Sequence, residues 1–390
     1  MPRNLDTIMS QINKDFKDEI IRKGTVRDDY DRIPFSSPLL QWSTYGGIPL
    51  GKVTEICGSE GGGKTTTALD LVGNAQKKFK NDWSEKVADL TEQYDELVLA
   101  GKPKEKLANS VKEKLDELVE RGPKVCVYFD LENTLDEMWA KKLGVATDDL
   151  ILLRPTTQTG EQVLQMAIDL VNSGDVGLLV LDSLPMLVPQ QIFDDTLEKK
   201  SMGGIAKLLA DFSSRITPAL TVNNCALVGI NQVRENVGSM YGPPETTPGG
   251  RSWKHLCSLR IKCQKGDLLD SKNLRVPNST QCPAGNMVNT TIVKTKICSP
   301  NRKGASYTLN YDKGIDVVYD TLQLCLQYKL VTGTSWYTFN DPQTLEPLED
   351  ENGKVLKYQG MSRAYEFLLS EPELLEDYTA YLNEKFKVNN

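Results

Sequence analysis

KVTEICGSEGGGKTT, residues 52–66, is the stretch on which the fold turns. KVTEIC (52–57) is a short apolar, β-branched run, and TTALDLVGNAQ (66–76) has the composition of a helix. Between them stands Gly58-Ser59-Glu60-Gly61-Gly62-Gly63-Lys64-Thr65, a match to G-x-x-x-x-G-K-[ST]. In a chain this long a chance match is on the order of one in a hundred. A glycine turn between a strand and a helix is what a phosphate cradle needs, because backbone N–H groups and the helix N-terminus then face the anion. Gly58, Ser59, Glu60, Gly61, Gly62 and Gly63 form the cradle, and Thr66 follows in the first helical turn. Lys64 is expected to reach the β- and γ-phosphates, and the Thr65 hydroxyl to bind Mg²⁺.

On the C-terminal side of this stretch, strand-like runs recur at 124–132 (KVCVYFDLE), 150–155, 177–183, 226–232, 259–264, 290–297 and 306–311. Helix-length segments such as 160–174 and 204–220 separate the early ones. This alternation predicts a mostly parallel sheet covered on both faces, an α/β fold. The last three runs follow one another across Gly/Pro/Asn breaks and are expected to extend the sheet as antiparallel strands. Leu5, Ile8, Met9, Ile12, Phe16 and Ile20 predict an amphipathic N-terminal helix over 5–23. Two apolar stripes, Phe79 to Leu97 and Leu107 to Leu118, flank Gly101-Lys102-Pro103 and predict a helical hairpin inserted at 76–122, read as self-packed rather than as a partner-docking arm. The resulting division is an N-terminal helix and linker (1–36), a nucleotide-binding core (37–320) and a small α+β module (321–390).

Ligands of open α/β sheets lie at the carboxyl ends of the strands. Glu132, Asp182 and Gln232 each end a predicted strand. Asp182, after four apolar residues, fits a carboxylate that holds Mg²⁺ through water. Glu132 fits the base that orients and deprotonates an attacking water, and Gln232 fits a γ-phosphate sensor. A binding loop alone does not imply hydrolysis; these three convergent polar groups do.

The composition is globular, with 39% hydrophobic and 25% charged residues. No apolar run approaches a membrane span, and no signal-peptide core opens the chain, so a cytoplasmic location is expected. Eight single cysteines read as reduced, mostly buried thiols, and His255, Cys257 and Cys263 lack the spacing of a zinc finger. A net charge of −7 excludes coating of nucleic acid by global charge, though not a local basic surface.

The stretches 48–66, 127–145, LLVLDS (178–183), GINQVRENVGSMYGPPETTPGG (229–250) and IVKTKICSP (292–300) together resemble the RecA recombinase family over about residues 40–340. NQVR followed by MYGPPETTPGG is the most specific of them. The resemblance implies a RecA-like core, ATP and Mg²⁺ as ligands, and DNA-dependent ATP hydrolysis. It places Asp136 and Trp139 at the adenine, Trp139 standing where the family more often has tyrosine. It makes Lys294 and Lys296 a pair that reaches the γ-phosphate of a neighbouring subunit. Two DNA-facing loops follow: 189–203 with Met202 and the subsequent Lys207, and 234–251 with Arg234, Met240, Tyr241, Thr246, Thr247, Gly249 and Gly250. Pro243 and Pro248 depart from the family pattern and remove potential N–H donors. The partners implied are single-stranded DNA, homologous duplex DNA, copies of the same chain in a helical filament, recombination mediators and a single-strand-binding protein. A hexameric helicase motor and an ATP-binding switch are the alternatives. The first predicts closed rings, and the second has no use for Glu132.

Overall fold

The computed structural model describes residues 3–16, 30–100, 104–194, 204–235 and 245–386. The chain forms two units, Met1–Asp31 and Arg32–Asn390. In the first, the helix runs Arg3–Phe16, with Met9 and Ile12 half-buried and Ile8 exposed. The expected continuation to residue 23 lies outside the described residues.

The second unit is built on a ten-stranded sheet. Its order from one edge is Gly314–Ile315, Gly304–Asn310, Gly285–Thr295, Leu259–Leu269, Val53–Gly58, Ala226–Gln232, Val176–Asp182, Val125–Asp130 and Leu150–Leu153, with Arg275–Val276 paired to Leu259–Leu269. Val53–Gly58 and Val176–Asp182 are buried along their whole length, as central strands covered on both faces must be. On one face Val127, Phe129, Leu179, Leu181 and Leu227 pack with Val163, Leu164, Leu208, Phe212 and Trp253 from the helices Gly160–Asn172, Gly204–Val222 and Gly250–Leu256. Cys126 marks the other face, its Sγ 3.9 Å from the Val72 carbonyl of the helix Lys64–Leu99.

One expectation about strand direction is corrected. Leu259–Leu269 pairs parallel to Val53–Gly58, not antiparallel. The helix Gly250–Leu256 comes just before it and serves as a crossover, the connection a parallel neighbour requires. Antiparallel pairing begins after it, with the short strand Arg275–Val276 and then Gly285–Thr295 and the strands beyond.

The inserted hairpin also has a different root. No proline interrupts residues 64–99, and the phosphate-loop helix continues unbroken from Lys64 to Leu99 before Glu105–Arg121 returns along it. Gly73 is tolerated inside this helix because the chain at Gly144 approaches it: a Cβ there would lie 2.9 Å from backbone atoms of Gly144. Phe79 is the last buried side chain of the helix, seated against Gly177. Beyond it the apolar stripe is only half-buried, against the returning helix, and Trp83 Nε1 donates to the Leu118 carbonyl at 2.9 Å.

A second apolar cluster gathers Phe339, Leu368, Tyr378, Leu382 and Phe386 with Leu322, Leu324 and Leu39. The three-stranded sheet Val331–Thr332, Trp336–Phe339 and Lys357–Gln359 belongs to this region. Beside it Asp320 is fully buried, with Oδ1 accepting from the Thr308 N–H at 3.0 Å and Oδ2 unpartnered. Burial pushes this carboxyl up to about 8. The folded chain therefore keeps a proton that the unfolded chain releases near pH 4, so rising pH draws the protein towards the unfolded state across that window. Asp320→Asn removes the charge and keeps the Oδ1 acceptor. The difference in melting temperature, variant minus parent, is expected to rise by roughly 2–4 °C between pH 6 and pH 9. A difference that stays flat with pH contradicts this assignment.

Among the described residues no helix is long and apolar enough to cross a membrane.

Candidate nucleotide site and its facing loops

The loop after Val53–Gly58 is shaped by glycines with identifiable duties. A Cβ on Gly58 would sit 2.0 Å from the Cys263 carbonyl oxygen. Gly61 and Gly63 have φ of 66° and 89°, conformations that L side chains resist. Gly63 caps the helix Lys64–Leu99 without any side-chain cap, which leaves the first-turn N–H groups pointing at open space. A cavity of about 460 Å³ opens there, lined by Gly61 to Thr66, Trp139, Lys265, Asn286, Val288, Leu309 and Tyr311. An uncapped helix N-terminus, close-packed glycines and a cavity of ligand size fit a nucleotide's phosphates and base. Lys64 Nζ rests 2.7 Å from the Ser59 carbonyl, folded over the loop.

Strand register brings the acids to the same edge. Gly58 lies opposite Gln232, and Asp130 opposite Asp182. Thr65 Oγ1 donates to Asp182 Oδ2 at 3.1 Å, and the Tyr128 hydroxyl donates to the same oxygen at 2.5 Å. Burial raises Asp182 to about 6, and the neighbouring Glu132 and Asp130 add to that rise, while the two hydroxyl donors oppose it. Glu132 Oε1 accepts from Ser183 Oγ at 2.6 Å. Asp130, by contrast, is occupied structurally: it accepts from the N–H groups of Thr134 and Leu135 and from Arg154 Nε at 3.0 Å. Gln232 is exposed at the end of its strand.

On the other side of the cavity Asp136 caps the helix Glu137–Lys142, accepting from the N–H groups of Met138 at 2.8 Å and Trp139 at 3.1 Å. The cap fixes Trp139 over the phosphate-loop helix, with Nε1 3.3 Å from Thr66 Oγ1. Lys265, Asn286 and Tyr311 complete this wall, with the Tyr311 hydroxyl donating to Asn286 Oδ1 at 2.9 Å. Sequence reading missed these three, along with Tyr128 and Ser183, because each reads locally as an ordinary strand or loop residue.

The second loop is tied down at both ends. Arg234–Glu235 pairs antiparallel with Glu245–Thr246. Behind that ladder Glu55 is fully buried and accepts from Asn231 Nδ2 at 2.8 Å, Trp253 Nε1 at 3.0 Å and Arg260 Nε. Asn231 Nδ2 also donates to the Pro248 carbonyl at 3.0 Å, and Arg260 Nη2 to Thr247 Oγ1 at 3.1 Å. Thr247 and Gly249 are accordingly buried, and Gly250 packs on Ala206. Thr246 is exposed and accepts from Lys254 Nζ at 2.8 Å. Lys207 and Arg234 are exposed. Met202, Met240, Tyr241 and Pro243 lie outside the described residues. Lys294 Nζ and Lys296 Nζ both donate to the His255 carbonyl, at 3.1 and 2.7 Å, where the helix Gly250–Leu256 ends. Partial burial, with the charge of Lys296 beside it, lowers Lys294 from its usual range.

The family model of the RecA N-terminal domain matches residues 3–83 and 113–316. The chain belongs to the RecA family. It is 31% identical over 387 residues to Protein RecA of Thermus aquaticus, covering 98% of this chain and 94% of that protein. Protein RecA of Aquifex pyrophilus is 30% identical over 378 residues, 96% of this chain and 89% of its own length. Protein RecA of Thermus thermophilus is 30% identical over 385 residues, 98% and 94% respectively. Between residues 3 and 316 the family match breaks across 84–112, the outer part of the two-helix arm. All the RecA-family motifs lie within the matched ranges.

Proposed function

We propose that this chain is an ATP-dependent recombinase that assembles on single-stranded DNA, hydrolyses ATP when DNA is bound and pairs the bound strand with homologous duplex. The observation that carries this reading is one shared edge of the sheet. The uncapped phosphate loop, Asp182, Glu132 and Gln232 lie there together, and the stem of the second loop begins two residues beyond Gln232.

ATP is the substrate. Its triphosphate sits against the N–H groups of residues 61–66, with Lys64 leaving the Ser59 carbonyl to pair with the β- and γ-oxygens. Thr65 and Asp182 are the residues that would hold Mg²⁺, Asp182 through water, and the metal when bound neutralises phosphate charge. Glu132 accepts the proton of a water whose oxygen attacks the γ-phosphorus, as the bond from that phosphorus to the bridging oxygen breaks and ADP leaves. Gln232 reads the γ-phosphate and passes its position to the adjoining loop. Lys294 and Lys296 stabilise transition-state charge on the neighbouring subunit's nucleotide, which couples hydrolysis to assembly. Residues 1–36 dock on the next copy, and 37–320 and 321–390 form the core and the C-terminal module. A head-to-tail contact that does not close makes a helical filament. Arg234 and Lys207 face DNA phosphates, and Tyr241 separates base groups.

Electron micrographs of the protein with ATP and long single-stranded DNA are expected to show open helical filaments. Closed rings together with strand-separating activity would instead identify a helicase motor.

A further inference from the structure

The Tyr128 phenol is fully buried inside the strand Val125–Asp130, and the mechanism above makes no use of it. A buried phenolic hydroxyl must find a partner or incur the cost of desolvation. Tyr128 lies opposite Val180, so Asp182, two residues further along the neighbouring strand, is its diagonal neighbour on the same face. Its hydroxyl meets Asp182 Oδ2 at 2.5 Å, the oxygen that Thr65 Oγ1 also reaches from the phosphate-loop helix at 3.1 Å.

Convergence on one oxygen has a specific consequence. The terminal torsion of an aspartate is broad and nearly two-fold, so an unrestrained carboxylate exchanges its two oxygens freely. Two donors fixed on Oδ2 remove that symmetry and leave Oδ1 to take the outward task. Thr65 cannot do this alone, because its hydroxyl has a second duty at the metal. The phenol has no other duty, and it is rooted in a central strand.

We propose that Tyr128 is a positioning residue for the Mg²⁺-side carboxylate, holding Asp182 with one oxygen turned inward so that the other meets a metal-bound water. This rests on the nucleotide-site reading given above. A phenylalanine would fill the same space, so the hydroxyl itself supplies only the bond to Asp182. Groups that orient a metal's ligands typically contribute about 10–100-fold to metal affinity.

The test is Tyr128→Phe in the full chain, with binding of a fluorescent ATP analogue followed as MgCl₂ is titrated. The half-saturating Mg²⁺ concentration is expected to rise about tenfold, near the low end of that range because Asp182 acts through water. Analogue binding in EDTA and the melting temperature of the nucleotide-free protein are expected to stay close to those of the parent. In an Asp182→Asn background, adding Tyr128→Phe is expected to move the Mg²⁺ midpoint no further, since the two changes remove one interaction. An unmoved midpoint in Tyr128→Phe overturns the proposal. So does an equal loss of binding in EDTA, or an equal effect in the Asp182→Asn background; either makes the phenol a packing group. If the parent protein itself binds the analogue without regard to Mg²⁺, the nucleotide-site reading falls and takes this inference with it.

Discussion

Lys64→Ala is expected to lower ATP hydrolysis by about 10²–10³-fold and to abolish nucleotide-dependent assembly on DNA. The lysine stands at the start of the helix Lys64–Leu99, where uncapped N–H groups supply partial positive charge but no full one. Its ammonium is the group in the loop that can follow charge onto the γ-phosphate as the bridging bond breaks. A charge-assisted hydrogen bond of this kind is roughly twice as strong as a neutral one and has most effect in a site that excludes water. The substitution leaves the fold nearly untouched, because the contact given up is a single hydrogen bond to the Ser59 carbonyl. Melting temperature without nucleotide is the control, expected to match the parent. Hydrolysis within a factor of three of the parent would show that the loop does not cradle phosphates.

Glu132→Gln separates binding from chemistry. Glutamine keeps the shape and still accepts the Ser183 hydroxyl that now holds Glu132 Oε1 at 2.6 Å. It cannot take a proton from water. Loss of a positioned general base costs about 10²–10⁴-fold, so turnover should fall by that amount while ATP binding persists. The variant should stay ATP-bound on single-stranded DNA far longer than the parent, measured as retained radiolabelled ATP after a chase. Turnover close to the parent's would remove Glu132 as the base and direct attention to Asp182. Asp130 is no substitute: two backbone N–H groups and Arg154 already occupy its oxygens.

The glycine loop between Val53–Gly58 and the helix Lys64–Leu99 was legible because its pattern is local: glycines, lysine and threonine at fixed spacing between a strand and a helix. The strand-end acids were legible for a related reason, since an apolar run ending in a carboxylate marks where a parallel strand leaves the core. The remainder depends on register and distant packing. Nothing beside Tyr128 in the sequence points to Asp182, 54 residues away. Asn286, on the strand Gly285–Thr295, and Tyr311, just past the strand Gly304–Asn310, meet the cavity only through the order of the strands in the sheet. The antiparallel reading of 259–264 failed because a seven-residue helix, Gly250–Leu256, was hidden inside a glycine- and proline-rich loop. That the first helix of the hairpin is continuous with the helix from Lys64 was not legible, because an apolar stripe can change its packing partner without any change of backbone. The hydroxyl contact of Thr247 was likewise invisible: Arg260 meets it across 13 residues, from a side chain anchored on buried Glu55.

The central claim is that DNA gates hydrolysis through the loop that follows Gln232. It is tested most directly by the steady-state ATPase rate of the parent protein with saturating ATP and Mg²⁺, with and without single-stranded DNA. Slow hydrolysis without DNA and at least about tenfold stimulation by DNA are expected, a change of roughly 1.4 kcal/mol in the barrier. The same rate with and without DNA, or no hydrolysis in either case, would contradict it.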